Sequence, residues 1–267
     1  MSNKKEIIFL GTAAALQLPS FHCSCETCRQ ARENPNLSKT RSALAVKGDK
    51  VILIDAGPDT AFQLERESIR KVDQIFITHW HYDHIAGLGE FGEPAFIGSW
   101  EKIKLYLPEQ NLFRFENELS YLKKIFQIIP VAPGYVAEID GTKFRAVKTN
   151  HSYDSLGYIV ESTKRYAYLV DGIRPPEETI DYLKNIDTLI LEATLDELDE
   201  SWKNWDIRGA IDFWKETGIK ECILTHMSFH SWKNKALIGG YKEEEKKQIL
   251  SDNPGLVMAY DGMKVEL

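Results

Sequence analysis

The chain has 267 residues, 43% of them hydrophobic, 11% aromatic and 27% charged. Forty acidic against 33 basic side chains leave a net charge of −7, which argues against a broad phosphate-gripping surface, while 12 Phe, 11 Tyr and 6 Trp supply a core that disorder would lack. No apolar run approaches the about 18 residues of a membrane span, and Met1-Ser2-Asn3-Lys4-Lys5 leads directly into Glu6 without a signal-peptide pattern, so a cytoplasmic globular protein with no membrane partner is expected.

Short β-rich runs bounded by Gly, Pro, Asp or Asn predict strands over 7–10, 43–46, 51–54, 74–78, 104–107 and 126–131. Further strands are predicted over 144–148, 158–161, 166–170, 188–192, 222–225 and 256–259. The three between 144 and 170 follow one another with no helix between them, which predicts hairpins rather than crossovers. Pro175-Pro176 opens a helix ending near Asn185. A second helix runs from Asp206, an N-cap, through Ile207, Ala210, Ile211 and Trp214 to a stop at Gly218; the i, i+3, i+4, i+7 spacing buries one face. The mixed-sign run over 242–247 predicts a solvated helix face. With no linker, repeat or low-complexity tract, the order predicts a β-rich α/β protein with helices outside its sheets.

Two scarce residue types are clustered. Three of four cysteines (Cys23, Cys25, Cys28) and three of seven histidines (His79, His81, His84) each fall within six positions. The run Ile75-Phe76-Ile77-Thr78 ends in His79-Trp80-His81-Tyr82-Asp83-His84. In an extended segment, residues two apart face one side, so His79 and His81 reach one ion together; a turn into helix swings Asp83 and His84 toward a second point. Imidazole and carboxylate suit zinc, manganese and iron. A surface-loop run, or core histidines capping a strand, is the plainer reading, but four ligand-type residues in six positions at a strand end favour a metal. His151, Asp171 and His226 also sit just past strand ends, where open α/β sheets place their sites.

This order of ligands resembles the metallo-β-lactamase superfamily, and the likeness runs from Ile8-Phe9-Leu10-Gly11-Thr12, through Ile54-Asp55-Ala56-Gly57, to Tyr260-Asp261-Gly262-Met263. The resemblance implies an α/β fold of the αββα sandwich type, two packed mixed sheets flanked by helices, with a dinuclear site at one sheet edge. It implies that His79, His81 and His151 hold one cation, Asp83, His84 and His226 the other, and that Asp171 bridges them. Two divalent cations, zinc or manganese with iron also suited, would lower the pKa of a shared water to give hydroxide near neutral pH and polarise the substrate oxygen. Asp83 is the candidate catalytic residue, orienting the nucleophile or accepting its proton. Ligands spread from 79 to 226 must converge, so one domain over 1–267 is expected. The −7 charge then conceals about +4 of local charge before ligands are counted.

Phe21-His22-Cys23-Ser24-Cys25-Glu26-Thr27-Cys28 offers three thiols at C-x-C-x-x-C spacing, which in a cytosolic protein points to one structural zinc in a knuckle inserted at about 20–35. Four ligands are needed. The pattern is similar to that of the phosphoribosyl cyclic phosphodiesterases of the carbon–phosphorus lyase pathway, which complete the site with a histidine three residues beyond the last active-site histidine. Here that position is Phe229, so His230 is the first choice for the fourth ligand and His22 the second. Cys222, inside an apolar strand, is a buried small residue.

A phosphodiesterase cleaving a small, even cyclic, phosphate ester is the expected activity. A tRNA 3′-processing endonuclease is the alternative, because Asp171-Gly172-Ile173-Arg174-Pro175 and Leu191-Glu192-Ala193-Thr194 resemble segments of that family; the net charge and the lack of a basic arm argue against a nucleic-acid partner. A non-catalytic accessory protein of pyrroloquinoline quinone biosynthesis shares the cysteine pattern, but seven metal ligands favour catalysis, and a β-lactam or thioester hydrolase rests on fold alone. Substrate contacts are expected from the loops around 152–155 and Arg174, with Trp80, Tyr82 and Trp232 lining the mouth or packing. A homodimer stays open.

Overall fold

The computed structural model describes residues 4–151, 155–194, 203–228, 231–232, 235–236 and 243–267. The first half builds β1 (Glu6–Gly11), β2 (Ala43–Lys47), β3 (Val51–Ile54), β4 (Gln74–Phe76), β5 (Ile103–Pro108) and β6 (Phe126–Val131). The second builds β7 (Val136–Ile139), β8 (Thr142–Lys148), β9 (Leu156–Glu161), β10 (Arg165–Leu169), β11 (Thr188–Glu192) and β12 (Glu221–Thr225). A two-residue ladder, β13 (Ser231–Trp232) with β14 (Lys235–Ala236), precedes β15 (Leu256–Met258) and β16 (Lys264–Glu266). Helices α1 (Glu26–Glu33), α2 (Thr60–Arg66), α3 (Tyr82–Ile85), α4 (Gly92–Ile97), α5 (Leu112–Glu118), α6 (Glu177–Leu183), α7 (Ile207–Thr217) and α8 (Glu243–Asp252) connect them.

Two seven-stranded sheets result, ordered β16-β1-β2-β3-β4-β5-β6 and β15-β12-β11-β10-β9-β8-β7. Each is antiparallel on one side and parallel on the other: β3 through β6 run parallel in the first, and β10, β11, β12 and β15 in the second. The run β7–β10 is an antiparallel meander, as the missing helices between 144 and 170 predicted.

Strand alternation sorts the apolar residues into three layers. Ile7 and Phe9 point between the sheets with Phe76, Tyr106, Phe144, Tyr158 and Tyr168. There the Phe76 ring stacks on Tyr106 at 4.0 Å and on Phe144 at 4.9 Å. Ile8 and Leu10 point outward, against Ile85 of α3 and Phe115 of α5. On the far side, Leu189, Leu191 and Leu224 pack against Ala31 of α1, Leu183 of α6 and Ala210 and Trp214 of α7. The layers are therefore helix, sheet, sheet, helix. No helix among the described residues is long and apolar enough to cross a membrane.

All twelve expected strands are present, three with the expected ends (51–54, 126–131 and 188–192) and nine with shifted ends. The run expected over 74–78 stops at Phe76, because the Thr78 amide donates to the Asp55 carboxylate at 2.8 Å instead of to a neighbouring strand. The capped helix α7 begins and ends where Asp206 and Gly218 placed it. Strands β7, β13, β14 and β16 and helices α1, α2, α4 and α5 were not expected; each has eight residues or fewer.

Candidate metal centre

The centre lies where strands of both sheets end. Asp55 follows β3, His79 to His84 follow β4, His151 follows β8, Asp171 follows β10, Glu192 closes β11 and His226 follows β12. Asp55, Asp171 and His226 have φ of 67°, 58° and 49°. Such left-handed backbone at a non-glycine residue carries strain on the order of 1 kcal/mol or more. It turns each chain sharply off its strand and swings the side chain over the sheet edge. Gly57 permits the adjoining turn: a Cβ there would stand 2.1 Å from the Asp83 carbonyl oxygen, and Ala56 N–H donates to His84 O at 2.8 Å. Across the sheets, Leu156 N–H donates to Thr78 O at 2.9 Å and Met227 N–H to Thr12 O at 2.9 Å, which fixes the edges against each other.

The seven residues expected at the dinuclear site come together in two groups sharing Asp171. In one, with His79, His81 and His151, the ligand-type atoms lie within 4.8 Å of one another; the second, with Asp83, His84 and His226, meets the same limit. His79 Nε2 lies 2.8 Å from His81 Nδ1 and 3.2 Å from Asp171 Oδ2, and His151 Nε2 lies 3.3 Å from His81 Nδ1. His84 Nε2 lies 3.0 Å from Asp171 Oδ2 and 3.3 Å from Asp83 Oδ2; His226 Nε2 lies 3.5 Å from Asp83 Oδ2.

Charge and burial suit this set to a cation. Burial, with His84 beside it, pushes His79 down to about 3, which leaves a neutral imidazole with a free lone pair at neutral pH. Burial also disfavours charge on His84, but the Asp83 and Asp55 carboxylates outweigh it and hold this imidazole well above its usual range. Burial opposes ionisation of Asp171, yet His226 and His79 hold its carboxyl well below the usual range. His84 Nε2 and His226 Nε2 are buried without a hydrogen-bond partner. Buried nitrogens aimed at carboxylates, and two imidazoles meeting nitrogen to nitrogen, fit divalent ions.

Other side chains brace the centre, and sequence reasoning gave them no role. Asp55, fully buried, accepts from His84 Nδ1 at 2.7 Å and from Thr78 Oγ1 at 2.9 Å. Glu192, also fully buried, accepts from Gly172 N–H at 2.6 Å, from Asn204 Nδ2 at 2.9 Å and from the Thr194 hydroxyl. Burial and the Asp171 carboxylate push Glu192 up to about 7. Asn204 also donates to Asp171 Oδ1 at 2.9 Å. The available signal was an acidic residue directly after an apolar run, Val51–Ile54 before Asp55 and Leu189–Leu191 before Glu192.

Trp80 is buried and donates to Glu118 at 2.9 Å, so it packs, while Tyr82 is exposed. Arg174 pairs with Glu216 at 2.6 Å. Residues 152–154 and the Trp232 side chain lie outside the described residues. The sulfurs of Cys23, Cys25 and Cys28 lie within 4.8 Å of one another, and Ser20 N–H donates to Cys28 at 3.4 Å. Burial pushes the Cys28 thiol up to about 11. His22 is exposed, outside that group, with Nδ1 against Ser20 Oγ at 3.0 Å. His230 lies outside the described residues.

A sequence model described as a Beta-lactamase superfamily domain matches residues 50–227. The chain is 26% identical to an octanoyltransferase of Porphyromonas gingivalis over 96% of its own length but 50% of that protein, so it spans about half of that relative. It is 25% identical to ribonuclease Z of Archaeoglobus fulgidus, covering 87% of this chain and 94% of that one. Among solved structures, a diphosphatase of the PhnP family superposes with a TM-score of 0.82 at 25% identity, covering 99% of this chain and 98% of that one. The matched residues carry the strand-end histidines of the centre, and the chain belongs to the metallo-β-lactamase superfamily, a family of hydrolases that bind divalent metals.

Proposed function

We propose that the chain is a metal-dependent phosphodiesterase acting on a small phosphate ester, cyclic esters included. The observation that carries this reading is the convergence of seven ligand-type side chains into two groups sharing Asp171. His79, His81, His151 and Asp171 would hold one divalent cation, and Asp83, His84, His226 and Asp171 the other. Bound divalent cations supply Lewis acidity toward phosphoryl oxygens and activate water at neutral pH. Asp83 stays ionised against its burial because His84 and His226 lower its pKa, so it is an acceptor that orients the nucleophile. The full-length likeness to a PhnP-family diphosphatase supports a small phosphoester. Cys23, Cys25 and Cys28 are assigned to one structural zinc, within a single domain over 1–267.

RNA cleavage is the second reading. The net charge and the lack of a basic arm set nucleic acid aside, and the similarity to ribonuclease Z over most of the chain weighs against that exclusion. Metal-replete protein assayed on bis(p-nitrophenyl) phosphate, cyclic nucleotides and a tRNA precursor separates the two. The expected result is diester turnover that chelator abolishes and Mn²⁺ or Zn²⁺ restores. Precursor cleavage with the small diesters untouched would move the assignment to RNA.

A further inference from the structure

Two threonine hydroxyls occupy equivalent places beneath the two halves of the centre. Thr78 Oγ1 lies 3.0 Å from His79 Nδ1 and within 3.0 Å of both Asp55 oxygens. Thr194 Oγ1 lies 3.0 Å from His226 Nδ1, 2.9 Å from His226 O, and against Glu192 Oε2. Thr78 follows β4 of the first sheet and Thr194 follows β11 of the second. Each hydroxyl therefore stands between an imidazole and a fully buried carboxylate.

A hydroxyl has one proton to give and two lone pairs to accept with. At Thr78 the hydroxyl donates to the Asp55 carboxylate, so its oxygen accepts from His79 Nδ1–H. At Thr194 the proton has two acceptors besides the imidazole, Glu192 Oε2 and the His226 carbonyl. The outcome is the same whether Glu192 is ionised or protonated: an oxygen lone pair remains for His226 Nδ1–H. Asp171 Oδ1 also faces His226 Nδ1 at 3.4 Å, and a carboxylate oxygen at that place favours Nδ1–H.

We propose that Thr78 and Thr194 are positioning residues, paired hydroxyl relays that lock His79 and His226 in the Nδ1–H tautomer and so present a bare Nε2 to each half of the centre. Asp55 serves both halves, holding His84 of the second directly and His79 of the first through Thr78. Glu192 serves the second half, bracing His226 through Thr194 and Asp171 through Asn204. Partners that fix the far nitrogen of a ligating histidine raise its basicity and set its orientation. The inference rests on the reading of His79 and His226 as metal ligands.

The test is zinc affinity by chelator competition in Thr78→Val, Thr194→Val and the two Thr→Ser variants, alongside long-range ¹H–¹⁵N spectra of zinc-loaded wild-type protein. Each Val variant is expected to bind zinc about 10- to 100-fold more weakly. Each Ser variant is expected to keep wild-type affinity, and the spectra to show Nδ1–H at His79 and His226. Val variants that bind as tightly as wild type would overturn the relays, and so would Nε2–H at either histidine, a result that needs no variant to fold. Wild-type protein that takes up no zinc at this edge would instead remove the ligand reading itself.

Discussion

Asp55 is a side chain on which both halves of the centre lean, since it fixes His84 directly and, through both amide and hydroxyl, the turn at Thr78 that leads into His79. Asp55→Asn keeps the volume but replaces one acceptor oxygen with a donor. It is expected to weaken cation binding by about 10- to 100-fold, read by calorimetric titration of metal-free protein. His81→Ala is expected to abolish turnover and lower the cation content of the centre while the thiol-bound metal stays, which elemental analysis checks; full activity in this variant would take His81 out of the site. The ligands were legible because histidine is scarce here and three of seven stand within six positions. Thr78, Thr194 and Asn204 were not, because such residues occur on any surface. What gives Asn204 its part is the meeting of Asp171 and Glu192, which only the fold brings about.

Among the elements, α7 shows how far local chemistry reaches. Asp206 accepts from Gly209 N–H at 2.7 Å, and Gly218, at φ 70°, lets its own N–H reach Lys215 O. Both ends and the buried stripe are encoded within the helix, so its limits could be read from the sequence. Asp206→Ala is expected to lower unfolding stability by about 0.5–2 kcal/mol, seen as a reduced denaturation midpoint with an unchanged slope. Helices α2, α4 and α5 have only six or seven residues and no side-chain N-cap bond. Leu64 of α2 and Leu112 and Phe115 of α5 pack under the first sheet, which no window of sequence displays. Strand β4 adds a different lesson: its apolar run continues past Phe76, but Asp55 captures the Thr78 amide and ends the ladder early.

At the scale of the whole molecule, each ligand group draws on both sheets. His79, His81, Asp83 and His84 come from the end of β4, and His151, Asp171 and His226 from the ends of β8, β10 and β12. A cation bound there would hold the halves of the chain together, so stability should depend on free metal. Zinc at 100 times its dissociation constant is expected to add about 2.7 kcal/mol, raising the calorimetric melting temperature over that of chelator-treated protein. Equal melting temperatures would mean that the edges are set without the ion. Strand order gave a β-rich α/β protein with helices outside its sheets, and the sandwich itself was legible only through the family resemblance that the order of ligands carries. The place of β16 beside β1 was not, because three residues of mixed polarity carry little pattern.

That place of β16 bears on how the protein is made. β1 lies inside the first sheet only because β16 pairs with its outer side, Ile7 opposite Val265. A ribosome adding about 5–20 residues per second takes roughly 13 to 52 s to pass from Glu6 of β1 to Glu266 of β16. For nearly all of that time the nascent chain carries β1 as an open edge, available to the strand of another chain. The sheet that delivers His79 to His84 thus closes last, and removing residues 264–267 would leave a permanently adhesive rim, visible as aggregation during expression.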